Sequence, residues 1–381
     1  MKFSKRVEGI KPSATVAVGN KASELRQQGV DIIDLSVGEP DFKTPKNIVN
    51  VAKISLENGD HGYTSSKGII ELRESISKYF NEKCELEYGV NNIIVTPGAK
   101  QALFEAIMTI IGEGDETIIF TPAWVSYEPM ISMAGGDIKR ISLEPYGFQI
   151  GPAIERLKEE ISPRTKLVIL NSPSNPTGAV YSEEELEGLR DLLVDNDVMA
   201  ISDEIYKEIT YTSEYTSVGA MEGMKERTVT VNGFSKAYAM TGWRLGYMGG
   251  PRELINQAAK IHSHTATCAT NMVQRAGIEA LENGEGAVAE MVESFKHRRD
   301  LILQLLSKNG IDIQPPEGAF YVMIPVEGDG VEWCEKSIDK AHVAMVPGEA
   351  FGTPGYARIS YANSIENIEE GIRRLCENEL I

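Results

Sequence analysis

Five short runs of apolar, largely β-branched residues, each closed by turn residues, constrain this chain more than any other feature. They are Asn92-Ile93-Ile94-Val95-Thr96, Glu116-Thr117-Ile118-Ile119-Phe120, Lys166-Leu167-Val168-Ile169-Leu170, Val198-Met199-Ala200-Ile201-Ser202 and Thr228-Val229-Thr230-Val231-Asn232. Both faces of each run are apolar, as expected of strands covered by helices on either side. Helical patterns fill the intervals: the stretch from Gln101 to Ile107 carries an apolar stripe, and Ser182 followed by Glu185 is a capping box. The pattern predicts a doubly wound α/β domain with a mostly parallel sheet. Beyond about residue 280 the texture changes to a long charged helical stretch, Val288 to Lys308, and then Gly318-Ala319-Phe320-Tyr321-Val322-Met323-Ile324, followed by helix, strand and helix. This second region reads as a smaller α+β domain.

The 381 residues suffice for two or three compact units, and an apolar share of 42% supports substantial cores. Lys and Arg number 38 against 56 Asp and Glu, so the formal charge of −18 repels a phosphate backbone and argues against nucleic acid as a partner. The basic start, Met1-Lys2-Phe3-Ser4-Lys5-Arg6, runs into no apolar stretch, and no run approaches a membrane span. A cytoplasmic protein is expected. Cys84, Cys268, Cys334 and Cys376 lie far apart without a CxxC pair, so they read as reduced, mostly buried thiols.

In an open parallel sheet, ligands gather beyond the carboxyl ends of the strands. The five runs lead there into Pro97-Gly98-Ala99-Lys100, Pro122-Ala123-Trp124, Asn171-Ser172-Pro173-Ser174-Asn175-Pro176-Thr177-Gly178, Asp203-Glu204-Ile205-Tyr206 and Gly233-Phe234-Ser235-Lys236. Taken singly, each has an ordinary explanation: a turn at Gly98, a core aromatic at Trp124, a helix cap at Asp203, a surface amine at Lys236. Together they supply an anion cradle, a flat ring, an amide, a carboxylate with a phenol, and an amine. One cofactor, pyridoxal 5'-phosphate, uses all of them.

Here a resemblance becomes specific. Ser235-Lys236-Ala237-Tyr238-Ala239-Met240-Thr241-Gly242-Trp243-Arg244-Leu245-Gly246 resembles the lysine motif of class I/II aminotransferases, fold type I pyridoxal-phosphate enzymes. Asn175-Pro176-Thr177-Gly178 and Asp203-Glu204-Ile205-Tyr206 resemble the family's other signatures in order and spacing. Further matches are Lys11-Pro12-Ser13-Ala14-Thr15, Gly38-Glu39-Pro40-Asp41-Phe42, Tyr63-Thr64 and Arg358-Ile359-Ser360-Tyr361-Ala362, so the likeness covers nearly the whole chain and is nearest the prokaryotic aspartate aminotransferase branch. It implies a large cofactor-binding domain over 48–280 and a small domain over 281–381 that the N-terminal segment, 1–47, joins.

The resemblance also implies roles. Lys236 carries the cofactor's aldehyde and then acts as general acid/base; Asp203 pairs with the pyridine nitrogen; Asn175 and Tyr206 donate to the phenolate oxygen; Trp124 stacks on the ring. Gly98, Ala99 and Lys100 open the phosphate helix, with Ser235 and Arg244 as further phosphate ligands, and Tyr63 reaches the phosphate of a neighbouring subunit in a homodimer. Arg358 takes the substrate α-carboxylate with help from the Gly38 backbone, while Lys100 and Thr15 are associated with a distal carboxylate. The implied activity is ping-pong transamination of aspartate with 2-oxoglutarate. Aromatic-acid or prephenate transamination, and lyase chemistry on the same fold, are the alternatives. The stretch from Ile261 to Asn271 departs from the family's Ser/Thr-rich pattern ending in Asn-Pro, and His262-x-His264 within it reads as ordinary polar contacts rather than a metal pair. Two other classes fit less well. A pyridoxal-phosphate sensor would bring a basic DNA-binding appendage, and a nicotinamide dehydrogenase would show G-x-G-x-x-G after a strand.

Overall fold

The computed structural model describes residues 2–10, 12–211 and 215–381; Met1 and Lys11 of the N-terminal stretch lie outside the described residues. Among the described residues twelve strands occur in chain order: β1 Ile33–Asp34, β2 Ile93–Thr96, β3 Glu116–Thr121, β4 Asp137–Ser142, β5 Thr165–Asn171, β6 Met199–Asp203, β7 Thr228–Gly233, β8 Gly246–Gly249, β9 Tyr321–Pro325, β10 Val343–Ala344, β11 Val346–Pro347 and β12 Tyr356–Ser360. Seven form one sheet in the order β2-β8-β7-β6-β5-β3-β4, in which β8 alone runs antiparallel to its neighbours. This is the α/β architecture of fold type I enzymes. The five runs read from the sequence are β2, β3, β5, β6 and β7; β2, β3 and β7 are buried along their whole length.

Two strands escape the sequence pattern for opposite reasons. Strand β4 is a largely solvent-exposed edge whose Asp-Ile-Lys-Arg-Ile-Ser composition lacks a continuous apolar run. Strand β8, Gly-Tyr-Met-Gly, is half glycine and has little strand propensity. Tertiary packing demands those glycines: a Cβ on Gly246 would stand 2.2 Å from the Ala99 backbone nitrogen, and one on Gly249 would meet Phe80 and Tyr88 at 2.7 Å. The close approach at Gly246 seats the Ala99–Ile110 helix directly on the sheet, where Ala102, Leu103, Ala106 and Ile107 form its buried stripe.

The remaining strands are short. Strands β11, β12 and β9 make an antiparallel sheet, and β1 pairs in parallel with β10, which ties the N-terminal segment to the C-terminal third of the chain. The charged helical stretch begins three residues earlier than read, spanning Glu285–Lys308, and buries Phe295, Ile302 and Leu306 against this region. The Ser182 capping box is present in full, with both reciprocal bonds to Glu185. All four cysteines are free thiols, but Cys268 and Cys376 are half-buried rather than enclosed. Among the described residues no helix is long and apolar enough to cross a membrane.

Candidate active site

The carboxyl ends of β2, β5, β6 and β7 open into one cavity of about 530 Å³, within the size range of small-molecule sites. Twelve of the fourteen residues singled out from the sequence line it: Thr15, Gly38, Ala99, Lys100, Trp124, Asn175, Asp203, Tyr206, Ser235, Lys236, Arg244 and Arg358. Gly98 stands behind the lining, and Tyr63 lies outside it with 89% of its surface exposed.

Asp203 is the last residue of β6, and its side chain is buried. Tyr127 Oη donates to its Oδ2 at 2.6 Å and the Ile205 N–H to its Oδ1 at 3.3 Å. Burial raises its pKa to about 6, against the pull of Tyr127, Ile205 and the Lys236 charge. Lys236 follows β7 and faces it across the cavity, donating to the Gly38 carbonyl. Desolvation lowers the amine's pKa to about 8; Glu39 opposes this, while Arg358 and Arg244 reinforce it. An amine so placed is about one-tenth neutral at pH 7, far more than an ordinary lysine, which fits a group that must bond to carbon and pass protons.

Gly98 adopts φ +87° at the entrance to the Ala99–Ile110 helix, and no side chain caps that helix. A Cβ there would strike the Arg244 guanidinium at 2.4 Å. Glycine therefore lets Arg244 lie against a helix N-terminus whose opening amides lack intrahelical acceptors, an arrangement suited to an anion. At the rim, Lys100 Nζ sits 4.9 Å from the centre of the Trp124 ring. On the opposite wall Arg358, on β12, is buried; its Nη1 donates to Asn175 Oδ1 at 2.9 Å and its Nη2 to the Ser36 carbonyl at 2.7 Å. Its Nε is buried without a partner, and among the described residues no carboxylate pairs with it. Lys100, Arg244 and Lys236 likewise form no ion pair among the described residues, so a chain of charge −18 concentrates four unpaired cations around one cavity.

Three side chains that sequence reasoning passed over belong to the site. Tyr127 holds Asp203 and meets Trp124 edge-on at 5.3 Å. Its position, three residues after Trp124, was the available signal. Tyr321, read as part of a core strand, places its phenol 2.9 Å from that of Tyr206. Glu39 Oε2 accepts from Thr241 Oγ1 at 2.7 Å, joining the N-terminal segment to the loop after Lys236. The two histidines part company: His262 is buried on Glu105 Oε1 at 2.8 Å, and among the described residues no cluster suits a metal ion.

Residues 30–375 match the family described as aminotransferase class I and II. The chain belongs to this family. This aminotransferase is 41% identical to an aspartate aminotransferase of Thermotoga maritima over 98% of each chain. It is 44% identical to an aspartate/prephenate aminotransferase of Thermus thermophilus, over 98% of this chain and 97% of the relative. Among solved structures, the Thermus thermophilus aspartate aminotransferase with maleate superposes with a TM-score of 0.96 at 42% identity, covering 99% of this chain and 100% of that one. The family depends in general on pyridoxal phosphate, and the aminotransferase cavity fits that group by its donor set: an amine, a buried carboxylate, a phenol, a flat ring, a glycine-opened helix N-terminus with an arginine, and a buried guanidinium with a free N–H.

Proposed function

We propose that this aminotransferase exchanges the amino group of aspartate with 2-oxoglutarate in two half-reactions at one site, using pyridoxal 5'-phosphate held by Lys236. The cofactor, when bound, supplies an aldehyde for the amine and an electron-withdrawing ring. Asp203, anionic above about pH 6, is suited to a protonated ring nitrogen. Tyr206 and the Asn175 amide donate to an ionised ring oxygen, Trp124 offers the stacking face, and the Gly98–Lys100 turn with Ser235 and Arg244 holds the phosphate. Lys236, once released, moves the substrate's α-proton, and its lowered pKa suits that task.

The observation that carries this reading is the uncompensated Arg358. Burying a guanidinium without a counter-ion is costly, and a substrate α-carboxylate, gripped in a bidentate fork, removes the cost. Lys100 and Thr15, which line the same cavity, support a second carboxylate and hence a dicarboxylic substrate. Tyr63, exposed and outside this cavity, supports a homodimer in which it reaches the neighbouring subunit's phosphate. A second reading, with aromatic amino acids or prephenate as substrates, is favoured by the name of the Thermus thermophilus relative.

The test is a half-reaction screen. Purified protein is expected to be yellow, L-aspartate to bleach the visible band, and 2-oxoglutarate to restore it. Borohydride reduction should label a single peptide containing Lys236, and Lys236→Ala should abolish both colour and label. Bleaching by phenylalanine but not by aspartate would replace the dicarboxylic reading with the aromatic one; a label on another lysine would end both.

A further inference from the structure

Tyr321 sits where the two ends of the proposed chemistry meet. It lies on β9, which pairs with β12 so that Tyr321 faces Ser360 and Met323 faces Arg358. The side chain is fully buried yet borders the cavity. Its phenol is 2.9 Å from the Tyr206 phenol, and the two rings meet nearly at right angles, with centroids 5.8 Å apart. Its ring lies under Arg358, whose guanidinium carbon is 4.3 Å from the ring centroid. One side chain thus touches both the phenol suited to the cofactor's ring oxygen and the guanidinium suited to the substrate carboxylate.

The two contacts have distinct consequences. Either phenol can donate in this bond; with Tyr321 as the donor, the Tyr206 proton is free to point to an acceptor in the cavity, and a hydroxyl that accepts one hydrogen bond donates a stronger one. Burial and the neighbouring Tyr321 phenol push the Tyr206 pKa well above its ordinary value, which keeps its proton on the oxygen as a donor. The aromatic face of Tyr321 stabilises the desolvated Arg358 cation, together with that of Phe351, whose ring centroid lies 5.1 Å from the guanidinium carbon.

We propose that Tyr321 is a positioning residue that sets the donor strength of Tyr206 through its phenol and the placement of Arg358 through its ring. The proposal rests on the pyridoxal-phosphate reading above. If that reading fails, the wild-type protein shows no borohydride-reducible visible band; the tests below presuppose that band and fail separately.

The readout is the pH midpoint of the visible band, which reports how strongly the ring oxygen is stabilised in its ionised form. Removing a donor to that oxygen raises its proton affinity and moves the midpoint up. Tyr321→Phe keeps the ring and loses only the phenol, so the midpoint should rise by roughly 0.5 unit, about a threefold change in proton affinity. Tyr206→Phe should move it further, and the double Phe variant no further than Tyr206→Phe, because Tyr321 acts through Tyr206. Dissociation constants for succinate, a non-reacting dicarboxylate, should be unchanged in Tyr321→Phe and rise about fivefold in Tyr321→Leu, which removes the ring. A Tyr321→Phe midpoint equal to wild type, or a double variant whose shift is the sum of the singles, overturns the proposal. Should Tyr321→Leu fail to fold, the Phe variants still decide the phenol's part and Tyr321→Met, closer in volume, decides the ring's: a succinate dissociation constant equal to wild type overturns it.

Discussion

Tyr127 Oη donates to Asp203 Oδ2 at 2.6 Å, although the two residues stand on different elements 76 positions apart. The bond favours the ionised carboxylate against the desolvation that raises its pKa. Removing it with Tyr127→Phe lets the Asp203 pKa climb beyond about 6. A charge-assisted bond of this kind is worth about 1.5 kcal/mol, so pyridoxal phosphate should bind about tenfold more weakly, measured by equilibrium dialysis. The acid limb of that affinity should also move to higher pH. Unchanged affinity at pH 6 would show that Asp203 does not depend on Tyr127.

Lys236 must be neutral to attack an aldehyde. Its pKa, lowered by desolvation to about 8, makes the reconstitution rate of the apoenzyme pH-dependent in a defined window. Below that pH the neutral fraction grows about tenfold per unit, and above it the rate levels off. Stopped-flow absorbance with added pyridoxal phosphate should show the plateau beginning near pH 8. A rate still climbing tenfold per unit at pH 9.5 would mean that the amine titrates as an ordinary lysine.

Gly98 offers a steric test of the anion cradle. Gly98→Ala places a methyl group against Arg244 at a φ of +87°, which L-residues rarely adopt. The strain, about 1–3 kcal/mol, should fall mainly on Arg244 and the helix entrance, weakening cofactor retention during gel filtration while the fold persists. Circular dichroism would check the fold. Full retention of the cofactor would mean that Arg244 does not take part in holding it.

His262 and Glu105 form a fully buried pair joining the Arg252–Thr265 helix to the Ala99–Ile110 helix, with Gln101 Nε2 also donating to Glu105 Oε1 at 2.7 Å. His262→Leu strands the carboxylate and should destabilise the protein by about 2–4 kcal/mol in urea unfolding. Glu105→Leu combined with His262→Leu should recover most of that loss, because the buried carboxylate and imidazole leave together and Gln101 Nε2 keeps Thr265 Oγ1 at 3.3 Å. Losses that simply add would show that the pair is uncoupled.

The capping box at Ser182, the stripe on the Ala99–Ile110 helix and the five apolar strands β2, β3, β5, β6 and β7 were legible because propensity, apolar patterning and turn chemistry act between near neighbours. So were the residues that end each strand, since a parallel sheet presents those ends together wherever its strands lie. Strands β4 and β8 were not legible. One is an edge whose charged residues face water, and the other is held by two neighbouring strands and by the closeness of Ala99 rather than by its own preference.

By itself, the order of residues determined a doubly wound α/β chain with an amine, a carboxylate, a phenol and an amide waiting at strand ends. Tertiary structure alone decided what each of them touches. Arg358 and Asn175, 183 positions apart, meet because β12 packs beside the loop after β5, and Tyr321 meets Tyr206 across 115 positions. The physical reason is that desolvation and hydrogen bonding depend on distances through space, which the path of the chain sets and local sequence does not record.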